Sequence, residues 1–77
     1  MGVRTHIIAE VPHGRMAEAE LYFRHLAPGE TPALTHRLGT AVTFLEVVLS
    51  EDRAKAVEAT LGKINTHGIT FTVSTTA

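Results

Sequence analysis

Four segments of this chain alternate apolar and polar residues with the period of two that is typical of β-strands. Segments 3–11 and 69–74 alternate clearly, as strands do when they bury one face. Segment 33–38 is short, and segment 40–49 is apolar on both faces, with Glu46 as its only charged residue. We therefore predict four strands, of which the third carries more apolar surface than one covered face requires.

Two further segments repeat their apolar residues at helical spacing. The first, 15–27, is followed by Pro28-Gly29, which ends the helix because the residue before a proline disfavours the helical conformation. The second is predicted to begin at Ser50, whose hydroxyl can cap a helix, and to end at Gly68. The apolar stripes of the two helices consist of Met16, Ala19, Phe23 and Leu26, and of Ala54, Val57, Leu61 and Ile64.

The order of these elements is β-α-β-β-α-β. Right-handed crossover connections place both helices on one face of a four-stranded antiparallel sheet, with strands one and three at its centre. The sequence thus predicts a single α+β domain over residues 1–77, with the ferredoxin-like sandwich fold. Its inner sheet face is expected to carry Ile7, Ala9, Leu45, Val47, Leu49, Ile69, Phe71 and Val73.

No predicted helix covers the outer face of this sheet. An apolar cluster is expected on its two central strands, inside a rim of charged and hydroxyl side chains, and consists of Ile8, Val42, Phe44 and Val48. An apolar centre with a polar rim is typical of protein interfaces, although single exposed aliphatic residues are also ordinary on protein surfaces. We therefore predict that these four residues form an interface through which the protein assembles as a homo-oligomer.

Composition argues against several classes of function. The formal net charge is −1 and the seven lysines and arginines are dispersed, so we predict no surface for nucleic acid or for an anionic membrane. No window of the sequence is long and apolar enough for a membrane span. The chain has no cysteine, which fits a reducing cytoplasm and leaves no thiol for catalysis. We expect a cytoplasmic protein without a cofactor.

Candidate catalytic and metal-binding residues are few. The chain contains five histidines, which are His6, His13, His25, His36 and His67. No two of them have the short spacings of metal-binding motifs, so we predict no metal site. His6, Glu10 and Glu46 share the outer sheet face and could transfer protons if a second subunit closed over them. The alternative is that these charges only position a subunit interface, and we assign no catalytic role to any other residue.

The turn between strand one and the first helix contains Pro12, His13, Gly14 and Arg15. Backbone N–H groups at the start of a helix bind carboxylates and phosphates, and Arg15 could strengthen such a site. We therefore predict His13, Gly14 and Arg15 as candidate ligand-binding residues. A plain tight turn is the alternative, because the loop contains a single glycine.

At this turn the chain resembles the ACT-type regulatory domains, which are small β-α-β-β-α-β modules. The residues that carry the resemblance are Val11-Pro12-His13-Gly14-Arg15-Met16-Ala17-Glu18 and the strand–helix–strand stretch FLEVVLSEDRAKAVEATLGKINTHGITFTV. The resemblance implies that the protein senses an amino acid or a similar small anionic ligand at a subunit interface. It also implies that His13, Gly14 and Arg15 lie near this ligand.

Three functions fit these observations. The first is a non-catalytic, homo-oligomeric binding or regulatory module. The second is a small enzyme in which two sheets pair and enclose a pocket that contains His6, Glu10 and Glu46. The third is an adaptor or inhibitor that binds another protein through the outer sheet face, and it predicts a monomer in solution.

Overall fold

The computed structural model describes residues 2–36 and 41–76. Its elements are strand β1 (Arg4–Pro12), helix α1 (Met16–Leu26), strand β2 (Ala33–His36), strand β3 (Val42–Leu49), helix α2 (Ala54–Lys63) and strand β4 (Thr70–Thr76). The strands form one antiparallel sheet in the order β2-β3-β1-β4, so β1 and β3 are central and the other two are edge strands. This topology confirms the predicted α+β ferredoxin-like fold.

The hydrophobic core lies between the sheet and the two helices. Alternate residues of β1 and β3 are buried there, as the period of two predicts. Helix α1 contributes Ala19, Phe23 and Leu26, and helix α2 contributes Val57. The ring of Phe23 packs against that of Phe71 with centroids 5.6 Å apart. Every residue predicted for the inner sheet face is buried in this core or packs against it.

Helix α2 begins at Ala54, so the prediction that Ser50 caps it is wrong. Strand β3 ends at Leu49, and the next four residues carry the chain from the sheet to the helix layer. The structure shows a different contact here: the Thr5 hydroxyl on β1 accepts a hydrogen bond from the N–H of Arg53, the residue before α2, at 2.6 Å and donates one to the Glu51 carbonyl at 2.8 Å. Thr5 is fully buried, so a residue of the sheet holds the segment that leads into this helix.

The predicted end of the second helix at Gly68 is also wrong, because α2 ends at Lys63. His67 and Gly68 instead form a turn with positive φ angles of 50° and 89° that leads into β4. The predicted end of strand two, residues 37–38, and the turn at Gly39 lie outside the described residues. Helices α1 and α2 span 11 and 10 residues. No helix in the described ranges is long and apolar enough to cross a membrane.

Candidate functional site: the open face of the sheet

The sheet register determines which side chains meet on the outer face, which we define as the face opposite the two helices. Ile8 lies at its centre, directly opposite Glu46 on β3 and Thr72 on β4. His6 lies opposite Val48 and Ser74 in the same way. The two central strands thus place apolar residues beside ionisable ones, and β4 adds a row of hydroxyl groups.

Apolar surface remains accessible on this face. Val48 is 49% exposed, whereas its inner-face neighbours Val47 and Leu49 are 4% and 5% exposed. Ile8, Val42 and Phe44 are partly buried. A central strand is usually the best-covered part of a sheet, so a half-exposed valine there is informative. The described residues include no helix on this side of β1 and β3.

The structure brings together two of the three candidate catalytic residues. His6 Nε2 lies 3.3 Å from Glu46 Oε2, across the diagonal between β1 and β3. Both side chains remain partly accessible. In the tautomer with the proton on Nε2, this nitrogen donates a hydrogen bond to the Glu46 carboxylate. Nδ1 then has a lone pair that can accept a proton. The arrangement has the orientation of a general base held by a carboxylate.

Glu10 does not join this pair. It is exposed, and in the register it lies opposite Phe44 and Thr70, toward the other end of β1 from His6. Four residues of strand separate it from His6, which is about 13 Å. Among the described residues, its carboxylate makes no hydrogen bond or ion pair. Glu10 is therefore part of the rim of the outer face, and the proton-transfer geometry belongs to His6 and Glu46.

The first turn has its own internal hydrogen bonds. The His13 N–H donates to the Ala41 carbonyl, and the Arg15 N–H donates to the Pro12 carbonyl, each at 3.2 Å. Gly14 has a φ of +87°, in the left-handed region that glycine adopts without strain. Two of the backbone donors that an anion would need at this turn are thus already paired with carbonyl groups.

The Arg15 side chain is also paired. Its guanidinium donates to both carboxylate oxygens of Glu18, at 3.2 and 2.6 Å, and to the His67 carbonyl. The hydrogen bond from Arg15 lowers the pKa of Glu18 and in turn raises the pKa of Arg15. Because Glu18 already occupies two donors of the guanidinium, an anionic ligand would have to displace Glu18 to bind Arg15. The ligand site at His13, Gly14 and Arg15 stays a prediction.

The remaining histidines are dispersed. His25 lies in the last turn of α1, where a basic residue complements the helix dipole. His67 adopts a positive φ, and its N–H donates to Asn65 Oδ1 at 2.9 Å. In the part of the chain that the structure describes, no three His, Asp or Glu side chains form a group that could hold a metal ion.

A groove at the β2 edge was not foreseen from the sequence. It has a volume of about 310 Å³, and Phe23, Leu34 and Leu45 contribute apolar surface to it, beside the charged Glu20, Arg24 and Glu30. Leu34 pairs with the buried Leu45 and so faces the helix layer, yet it is 53% exposed. The sequence feature that could have predicted this groove is the number of helices, because two short helices cannot cover all four strands.

Comparison of the chain with family models, with curated proteins and with solved structures found no match. The ferredoxin-like architecture is therefore known from the coordinates of this chain itself. The resemblance to ACT-type domains stays a prediction from the sequence.

Proposed function

We propose that this protein is a small homo-oligomeric binding module whose subunits associate through the outer sheet face. The observation that carries the proposal is the half-exposed Val48 beside the partly buried Ile8, on two central strands whose inner-face residues are buried. Closing this face with a protein surface removes apolar area from water, which favours association. The module acts in the cytoplasm, in keeping with a chain that contains no cysteine.

Charge on this face favours a second copy of the chain as the partner. Arg4 and Glu10 are exposed near opposite ends of the outer face of β1, three residues on either side of Ile7. A two-fold axis between two stacked sheets, perpendicular to the strands, places Arg4 of each copy opposite Glu10 of the other. Face-to-face sheets lie about 10 Å apart, a gap that these two side chains can span. The face is self-complementary in this arrangement.

Exposed apolar residues on opposite sides of the molecule provide a direct test. Val48→Glu introduces a charge at the centre of the proposed contact, whereas Leu21→Glu introduces one on α1, where Leu21 is 54% exposed. A buried unpaired carboxylate costs about 3–5 kcal/mol, which corresponds to a weakening of self-association by more than about a hundredfold. We expect Val48→Glu to lower the molar mass found by light scattering and Leu21→Glu to leave it unchanged.

Two results would contradict association through this face. One is a wild-type chain that stays monomeric at all concentrations, which would favour the adaptor or inhibitor function. The other is an equal molar mass of the Val48→Glu and Leu21→Glu variants in light scattering. Phe44→Glu tests the same surface at a second position and should also lower the molar mass. Circular dichroism must first show that each variant is folded.

The regulatory part of the proposal is a small anionic ligand at the first turn, bound by His13, Gly14 and Arg15. Its support is a left-handed glycine beside a helix start and the partly accessible guanidinium of Arg15. Aspartate and glutamate at a hundredfold excess over Kd would stabilise the fold by about 2.7 kcal/mol. A rise in Tm that disappears in Arg15→Gln supports the site, and no rise with either compound counts against it.

The contact between His6 and Glu46 favours an enzyme as a second candidate function. In a closed dimer, His6 would act as general base and Glu46 would orient its ring. Hydrolysis of p-nitrophenyl acetate probes such a base: we expect a rate above that of free imidazole, lost in His6→Gln and kept in His25→Gln. Equal rates for the two variants would remove the support for catalysis.

A further inference from the structure

Strand β4 has one unpaired edge. It pairs with β1 on one side, and no described strand lies on its other side. Its register with β1 runs from Thr70 to Thr76 without a bulge, so the whole strand is straight enough to accept a neighbour. Along that open side, the backbone N–H and C=O groups that point away from β1 have no partner strand.

Strand β4 also lacks the features that normally protect an edge. Natural edge strands are kept from pairing by charged side chains, prolines, bulges or short length. The seven residues of β4 include no charge and no proline. The other edge strand differs, since β2 has four residues and follows directly after Pro32. Among the described residues, β4 is therefore the edge strand that lacks these protections.

We propose that β4 pairs in antiparallel orientation with β4 of a second copy, so that two sheets join into one continuous eight-stranded sheet. The two-fold axis passes through Val73, the middle residue of the strand. In this register, Thr70 lies opposite Thr76 of the second copy, and Thr72 lies opposite Ser74 of the second copy. Both helical layers remain on the same face, because the axis is perpendicular to the sheet.

The side chains suit this self-pairing. On the outer face, every cross-strand pair joins two hydroxyl groups, and Thr–Thr and Thr–Ser pairs stabilise antiparallel sheets through hydrogen bonds. On the inner face, Phe71 and Val73 are only partly buried at the edge of the core, and a neighbouring strand covers them further. No like charges meet in this register. The same absence of charge makes the strand a poor match for a charged partner peptide, which is why a second copy is the occupant.

A single cysteine reports the register, because the chain contains no native cysteine. Val73→Cys places two thiols opposite each other on the two-fold axis, with Cβ atoms about 4.5–5.5 Å apart. Thr70→Cys is the matched control on the same strand, since its partner in this register is Thr76 and not its own copy. We expect covalent dimers from Val73→Cys with diamide or with a short bis-maleimide linker, and none from Thr70→Cys alone. A mixture of Thr70→Cys and Thr76→Cys should give heterodimers.

The same experiment separates this edge contact from the proposed contact of the outer faces. In the Val48→Glu background, Val73→Cys should still form covalent dimers, because the two contacts use different surfaces. Cross-linking of Val73→Cys no stronger than that of Thr70→Cys would overturn the edge pairing, whatever Val48→Glu does to the assembly. Cross-linking of Val73→Cys that is lost when Val48→Glu is added would show that the β4 edges come together only when the outer faces associate. This result would also overturn the edge pairing.

Discussion

At the scale of single residues, one buried hydroxyl joins the sheet to the second helix. Thr5 is fully buried, and its side chain bonds to two backbone groups in the segment that precedes α2. Helix starts leave N–H groups without intrahelical partners, and a side-chain oxygen that accepts from one of them stabilises the helix. A residue that appears in the sequence as an ordinary inward-facing strand position thus fixes the segment that leads into this helix.

Replacement of Thr5 by valine tests this role. Valine keeps the shape of the side chain but leaves the Arg53 N–H and the Glu51 carbonyl without their partner. A typical intramolecular hydrogen bond contributes about 0.5–1.5 kcal/mol, so with both bonds lost we expect the free energy of unfolding to fall by about 1 kcal/mol or more in urea denaturation. Thr60→Val is the control, because the Thr60 hydroxyl bonds to the Ala56 carbonyl on an accessible helix. An equal fall in the free energy of unfolding for the two substitutions would contradict this role of Thr5.

Arg15 and Glu18 illustrate how a candidate binding residue can be satisfied within its own chain. The sequence suggested that Arg15 could strengthen an anion site at the first turn, and the structure pairs its guanidinium with a carboxylate three residues away in the first turn of α1. A lowered pKa of Glu18 means that the pair is present above the ordinary pKa of a glutamate and is lost as the pH falls through the lowered value. Acid therefore releases Arg15 from its partner.

At the scale of elements, two glycines near the α2–β4 connection have different backbone conformations, one helical and one left-handed. Gly62 lies within α2 and has open space where a Cβ atom would be. Gly68 lies in the turn before β4 with a φ of +89°, and a Cβ atom there would be 3.3 Å from Arg15 Nη1. The helical glycine weakens the element that contains it, whereas the turn glycine is required by the backbone conformation.

Alanine at these two positions should therefore have effects of opposite sign. Gly62→Ala is expected to stabilise the protein by about 0.5–1 kcal/mol, because alanine loses less conformational entropy in a helix. Gly68→Ala is expected to destabilise it by about 1 kcal/mol or more, because alanine is strained in the left-handed region. Thermal and urea denaturation of both variants measure the difference. Effects of the same sign would show that the turn before β4 differs from the one described.

At the scale of the whole molecule, the two layers leave one face of the sheet and one of its edges uncovered. Two helices of 10 and 11 residues bury the inner face of the central strands but leave Leu34 on β2 half exposed. A chain of 77 residues buries a smaller fraction of its surface than a larger domain does. The assembly that we propose would cover this remaining surface.

Charge reversal tests whether a second copy covers the outer face. Glu10→Arg places arginine opposite Arg4 of the second copy, and Arg4→Glu places glutamate opposite Glu10, so each variant alone should associate more weakly. An equimolar mixture restores both opposite-charge pairs and should assemble preferentially as a heterodimer, detectable by native mass spectrometry at low salt. Homodimers of each variant as strong as the mixture would contradict the proposed two-fold axis.

The sequence by itself determined the class of fold, the strand order and the residues of the core. Strands and helices differ in the period of their apolar residues, and handed crossovers leave few ways to connect them. It also placed His6 and Glu46 on the same face, because successive residues of a strand point to opposite faces.

Only the tertiary structure decided the contacts that depend on distance across the sheet. The strand register brings His6 to 3.3 Å from Glu46 and leaves Glu10 apart. The helix α2 starts at Ala54 and not at Ser50, and the N–H of Arg53 before it bonds to Thr5, 48 residues away in sequence. Local sequence cannot specify such partners, because they meet only when the two layers of the fold are packed together.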